Sequence, residues 1–242
     1  IKERKLRSIQ SIPDDKNEFL IKVWGQLSNA YFSKYQIQQL SDQAKTIASS
    51  KGKTSILIKS RKNLIEIFIF TSNQPGLFFK TVQSFEHLSI ETIDSDIHTT
   101  NDGLYALNTF ICKHKVLGGN LIQRDIQNIQ KKIIAAIDSE TPKSVVKAKT
   151  KTKKVFEYQT KVRITDSSRK NISLITLETL DKPNLLSEVA KIFLDHGVSI
   201  DSARITTLGE KVEDNFTVTD EKTKSAINKN KAQQIQKKLI SL

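Results

Sequence analysis

Two proline bends carry the most suggestive chemistry in this chain. Asn73-Gln74-Pro75-Gly76-Leu77 and Asp181-Lys182-Pro183-Asn184-Leu185 each follow a strongly apolar run and precede a segment of helical spacing. Proline suits the first turn of a helix, where its missing N–H is no loss. A helix N-terminus presents unpaired N–H groups and the positive end of the dipole. The N–H groups of Gly76, Leu77 and Phe78 can therefore hold a carboxylate. Gly76 has no side chain, so a ligand can approach the backbone closely. Asn73 can offer an amide to an amide ligand or an acceptor to an ammonium. At the second bend, Asp181 supplies a charge for an ammonium, and Asn184, Leu185 and Leu186 supply the backbone. This chemistry suits a free amino acid. The plainer reading of the same residues is a bend that merely starts a helix.

Asp94-Ser95-Asp96 is a second constellation. Strand alternation puts both carboxylates on one face. Phosphoryl-transfer sites use such pairs to hold Mg²⁺, but no Gly-Ser precedes this one. Lining the amino-acid site, or a solvated sheet face, is the favoured reading. His87, His98, His114 and His196 sit apart, without metal-ligand spacing. The single cysteine, Cys112, cannot form an internal disulfide, which fits a reducing cytoplasm; it is expected to be buried in a strand.

The elements that must position these residues occur twice. Ser60-Arg61-Lys62-Asn63 recurs as Ser168-Arg169-Lys170-Asn171, and at that offset of 108 residues 60–99 match 168–207 at 11 of 40 positions. Among the matches are Pro75/Pro183, Leu77/Leu185, Phe85/Phe193 and Ile97/Ile205. A period of this size is too long for a solenoid, so each copy is expected to be its own small domain. The first copy reads as strands over 54–59 and 64–71, a helix over 77–88, strands over 90–100 and 104–113 joined by Asn101-Asp102-Gly103, and a helix over 120–138. The second reads as strands over 158–165 and 171–180, a helix over 185–195, strands over 198–207 and 212–220, and a helix over 226–242. The order is ββαββα. The fold class is α+β: two tandem ferredoxin-like units, each a four-stranded antiparallel sheet with two helices on one face. The strand that enters by a hairpin is expected to take the place of the missing last strand.

The domain reading has four parts. Residues 1–50 form a short helical lead-in, with Leu20, Val23, Trp24, Leu27 and Tyr31, then Ile37, Leu40, Ala44 and Ile47, at helical spacing. Residues 51–140 and 157–242 are the two units. Residues 141–156 form a basic linker, with six Lys over 141–154. The formal net charge is +13. Its excess lies outside the two best-patterned regions, whereas a nucleic-acid domain carries a basic face on its folded part. No apolar stretch approaches the ~20 residues of a membrane span, and no apolar segment of signal-peptide type opens the chain. The chain begins with Ile1 and holds no Met, and is read as a piece of something longer.

Strand, Asp/Asn-x-Pro-Gly-Leu, helix, then strand-hairpin-strand resembles the ACT domain, a small-ligand regulatory module. The runs 71–85 and 94–110, then 176–220, resemble the two C-terminal ACT domains of bifunctional PII uridylyltransferase/uridylyl-removing enzymes. Ala203, Ile205, Thr207, Gly209, Glu210, Asp214 and Phe216 stand where that family's pattern has the same residues. The segment with Trp24, Tyr31 and Phe32 resembles the helical stretch before the first ACT domain. The bends depart from the pattern at different places: Asn73 replaces the usual Asp, and Asn184 the usual Gly.

The resemblance implies a cytoplasmic regulatory region with glutamine as effector and the PII signal protein as partner of the parent enzyme. It adds Ala203 to the site residues already named. It also implies ACT–ACT pairing within or between chains. Mg²⁺ is implied for the parent enzyme, and no cofactor for this region. The nucleotidyltransferase and His-Asp phosphohydrolase motifs of the family are absent from this sequence. The alternative is a ligand-free dimerisation or protein-interaction module.

Overall fold

The computed structural model describes residues 2–10, 12, 17–139, 158–167 and 171–242. The linker expected over 141–156 lies outside the described residues, as do Ser168, Arg169 and Lys170 of the second tetrapeptide.

Four helices come first: α1 (Lys2–Ile9), α2 (Asn17–Gly25), α3 (Asn29–Lys34) and α4 (Ile37–Ser50). The first unit comes next, as β1 (Ser55–Arg61), β2 (Leu64–Ser72), α5 (Leu77–His87), β3 (Ile90–Thr99), β4 (Tyr105–His114) and α6 (Gln123–Ile137). The second repeats it as β5 (Lys161–Ser167), β6 (Ile172–Leu180), α7 (Leu185–Asp195), β7 (Val198–Leu208), β8 (Lys211–Asp220) and α8 (Lys229–Ile240). Within each unit all pairings are antiparallel, and the entering strand takes the outer place beside β2 or β6. Equivalent bonds hold the copies: Thr54–Thr71 and Thr160–Thr179 hydroxyls meet at 2.8 Å. The Gln130 and Gln236 amides donate to the Ile56 and Val162 carbonyls.

The two sheets are one. β3 pairs antiparallel with β7 through Asp94↔Arg204, Ser95↔Ala203 and Asp96↔Ser202, giving the order β1-β2-β4-β3-β7-β8-β6-β5. Ser95 and Ala203 are the same position of the repeat, 108 residues apart, and the Ser95 hydroxyl donates to the Ala203 carbonyl at 3.2 Å. A pseudo-twofold axis thus passes between them, as in an isologous dimer made within one chain. The apolar core under the helices is continuous across this seam.

The two units differ on the face away from α5–α8. In β8 the burial alternates, with Val212, Asp214, Phe216 and Val218 inward and Lys211, Glu213 and Asn215 exposed. In β2 every residue from Ile65 to Thr71 is buried. Ile65, Ile67 and Ile69 join the core under the helices, while Phe68 and Phe70 join a second core with Leu20, Trp24, Tyr31, Phe32, Leu40 and Ile47. The N-terminal helices therefore cover the first sheet, at about 1.5–3 kcal/mol for each large side chain buried. The second sheet has no such layer among the described residues, and Leu174 remains 42% exposed.

Candidate functional site

Each bend ends in a left-handed residue that caps the next helix, Gly76 at φ 72° and Asn184 at φ 65°. Asn tolerates this conformation better than most residues, so Asn184 serves where the first copy has Gly. The Asn73 and Asp181 N–H groups donate to the Leu104 and Glu210 carbonyls, both at 2.8 Å, tying each bend to its own hairpin. A lysine clamps each bend to the end of its unit's last helix. Lys80 Nζ donates to Gln74 Oε1 (2.9 Å) and to the Ile137 and Ser139 carbonyls (3.2 and 2.8 Å). In the second copy the amine comes from the other end of the pair: Lys182 Nζ meets Glu188 Oε2 at 2.5 Å and the Leu242 carbonyl at 2.9 Å.

The seam turns each bend toward the other unit. The first bend, from Asn73 to Phe79, faces Leu194, Val198, Ser199 and Ile200 across a cavity of about 130 Å³. The second, from Asp181 to Leu186, faces Glu86, Ile90, Glu91 and Thr92 across about 310 Å³. One water needs only ~10–15 Å³ measured this way, so either cavity has room for a small polar molecule.

Each cavity holds a buried polar side chain with an unpartnered oxygen. Asn108 on β4 and Asp214 on β8 are each 1% exposed, and Asn108 Oδ1 and Asp214 Oδ1 have no hydrogen-bond partner. They are equivalent residues: Asn108 lies opposite Ile97 and Asp214 opposite Ile205. Burial pushes the Asp214 carboxyl up to about 7, with the Thr206 N–H drawing it down and Asp181 pushing it further up. A buried polar atom left unpaired costs about 1–3 kcal/mol, and a ligand donor would relieve it.

The expected site residues divide. Asn73, Gly76, Leu77 and Phe78 line the first cavity, and Asp181, Asn184, Leu185 and Leu186 the second. The Asn73 amide, however, donates to the Gly103 carbonyl at 3.1 Å. The space beside Gly76 is taken by Leu194 of the second unit rather than left open. Ala203 lies in the seam, opposite Ser95, and lines neither cavity.

Asp94 and Asp96 share a face, but the wrong one for the bends. A bulge between Thr92 and Asp94 shifts the register by a residue, which turns the later residues of β3 to the opposite side. Asp96 instead meets the N-terminal helices. It accepts from the Tyr35 hydroxyl (2.5 Å) and pairs with Lys34 (2.6 Å) and His98 (2.7 Å). Burial alone would raise its carboxyl, but His98, Lys34 and Tyr35 outweigh that and hold it well below the usual range. No group of three or more His, Cys, Asp or Glu among the described residues could hold a metal ion. Cys112 is buried, and burial pushes its thiol well up.

Asn108 is not legible as a site residue at the repeat offset. The first hairpin is two residues longer than the second, so Asn108 aligns in space with Asp214, 106 residues on. The available signal is local: Asn108-Thr109-Phe110 and Asp214-Asn215-Phe216 share one pattern.

No family model matches the chain. Curated relatives do. Over 220 residues it is 27% identical to the bifunctional uridylyltransferase/uridylyl-removing enzyme of Psychrobacter sp. (strain PRwf-1), covering 84% of this chain and 24% of the relative. Over 203 residues it is 29% identical to the enzyme of that name from Haemophilus influenzae, covering 83% and 23%. Its homologues are uridylyltransferase/uridylyl-removing enzymes. The chain spans about a quarter of the length of these relatives. Among solved structures, the ligand-free regulatory subunit of aspartate kinase from Thermus thermophilus aligns with 77% of this chain and 98% of its own, at 11% identity and a TM-score of 0.25. No described helix is long and apolar enough to cross a membrane.

Proposed function

We propose that the chain is an amino-acid-sensing regulatory region of a bifunctional uridylyltransferase/uridylyl-removing enzyme, with glutamine as its effector. In this reading the parent enzyme transfers UMP from UTP to the PII protein when glutamine is low and removes it when glutamine is high. Mg²⁺ would belong to the chemistry of the parent's catalytic domains. The observation that carries the reading is the pairing of each proline bend with the opposite unit around a buried, unpartnered oxygen. A ligand held between two units binds one arrangement of them better than another, and only such differential affinity can shift an equilibrium.

Titration calorimetry of the chain with L-glutamine and with L-glutamate tests this. The reading predicts a saturable heat with glutamine and a weaker one, or none, with glutamate. Equal heats, or none with either, count against it.

A ligand-free pairing module is the second reading, favoured by the β3–β7 seam, which already satisfies the pairing edges within one chain. A melting temperature unmoved by all twenty amino acids would support it.

A further inference from the structure

The two bends match in backbone and differ in what faces them. At the second bend the third N–H of α7, that of Ser187, already has an acceptor. Glu86, from the first unit, reaches across the seam and takes it with Oε1 at 3.1 Å. Burial raises the Glu86 carboxyl, and the Ser187 bond draws it back. At the first bend the residue equivalent to Glu86 is Leu194. Its methyl lies 2.9 Å from where a Cβ on Gly76 would be. A hydrocarbon thus faces the N-terminus of α5, which has no side-chain cap bond.

From this contrast, and resting on the amino-acid-sensing reading above, we infer that the ligand carboxylate is received at the first bend only, and that Glu86 holds the corresponding place at the second as a built-in carboxylate.

Three observations support the assignment. The first cavity is lined by Asn108, whose Oδ1 is buried and unpartnered, together with Gly76–Phe79. A ligand ammonium or amide can donate to that oxygen while the Phe78 and Phe79 N–H groups hold the carboxylate; the Leu77 N–H, named from the sequence, already donates to the Gln74 carbonyl at 3.3 Å. The rim brings both charge signs, Glu221 and Lys224, to complement a zwitterion. The second cavity is lined instead by four acids, Glu86, Glu91, Asp181 and Asp214. Of its two lysines, Lys182 is committed to Glu188 and the chain end. A further carboxylate there meets like charge at low dielectric, which disfavours it. The ligand class is a small molecule with one carboxylate and a nearby N–H donor.

The test is calorimetry of the 242-residue chain with L-glutamine, read with backbone amide NMR. The inference predicts one site per chain, with the Phe78 and Phe79 amides shifting and the Ser187 amide unmoved. Asn108→Leu should weaken binding about tenfold or more, the loss of one hydrogen bond to a charged or buried partner. Asp214→Asn should leave affinity within about threefold, since it removes no ligand contact. Glu86→Ala should free the Ser187 amide to exchange with solvent. Two equal sites, or a single site lost with Asp214→Asn and kept with Asn108→Leu, overturns the inference and leaves the sensing reading standing. Absence of any heat in the wild-type chain overturns both. Should Asn108→Leu lose its native far-UV spectrum, the wild-type amide shifts alone decide between the bends.

Discussion

Asn108 and Asp214 are one position of the repeat carrying an amide in one unit and a carboxyl in the other, each sealed from solvent and each with an oxygen that meets no partner. Their equivalence fixes both cavities on the helix side of the sheet. Their difference gives the two cavities different electrostatics.

Asp214 makes stability depend on pH. Its folded pKa of about 7 lies above the ordinary carboxylate value, so between about pH 4 and 7 the folded chain holds a proton that the unfolded chain has lost. Stability contributed by the neutral acid is full below pH 4 and falls as pH rises to 7, by at most roughly 4 kcal/mol. Asp214→Asn should flatten that slope and raise stability at pH 8. Urea melts at pH 5 and pH 8 check this; an unchanged difference between wild type and variant at the two pH values contradicts it.

Gly76→Ala should be costly for two reasons, the left-handed φ and the Leu194 methyl. Strain of this kind costs about 1–3 kcal/mol. Asn184→Gly, at the matching residue, should change stability by only a few tenths, since both residues adopt this conformation. Thermal melts of the two variants give the comparison. Leu194→Ala in the Gly76→Ala background should recover part of the steric share and none of the φ share.

One polar tie between the N-terminal helices and the sheet runs through Asp96. Tyr35→Phe removes one hydrogen bond to a charged group and should cost about 1.5–3 kcal/mol. Asp96→Asn, which takes the carboxylate away from Tyr35, Lys34 and His98, should cost about as much. Because the Asp96 pKa is depressed, its contribution is present above about pH 4 and fades as pH falls below that. A double-mutant cycle between Tyr35→Phe and Asp96→Asn should show coupling of about 1 kcal/mol or more at pH 7. Strict additivity would contradict the bond.

The repeat and its elements are legible because periodicity and turn residues agree: the helix over 185–195 and the β2 run are both readable from spacing. The covering of the first sheet is less so. Phe68 and Phe70 alternating with Ile67 and Ile69 signal burial on both faces, yet only tertiary structure shows that α1–α4 provide the second layer. The Asp94/Asp96 pair illustrates the opposite failure. Alternation places both on one face correctly, but a bulge that leaves no mark in composition chooses the face. Glu86 carries no motif at all; its role emerges only when the seam brings it to Ser187.

In the proposed reading, the first bend, completed by the second unit, receives a small amino acid. A two-dimensional amide NMR titration of the chain with L-glutamine tests this most directly. The expected result is saturable shifts at Phe78, Phe79 and the Asn108 side-chain amide, with Val198–Ile200 across the cavity responding in step. A spectrum unmoved at millimolar glutamine, or shifts confined to residues remote from both bends, would contradict it.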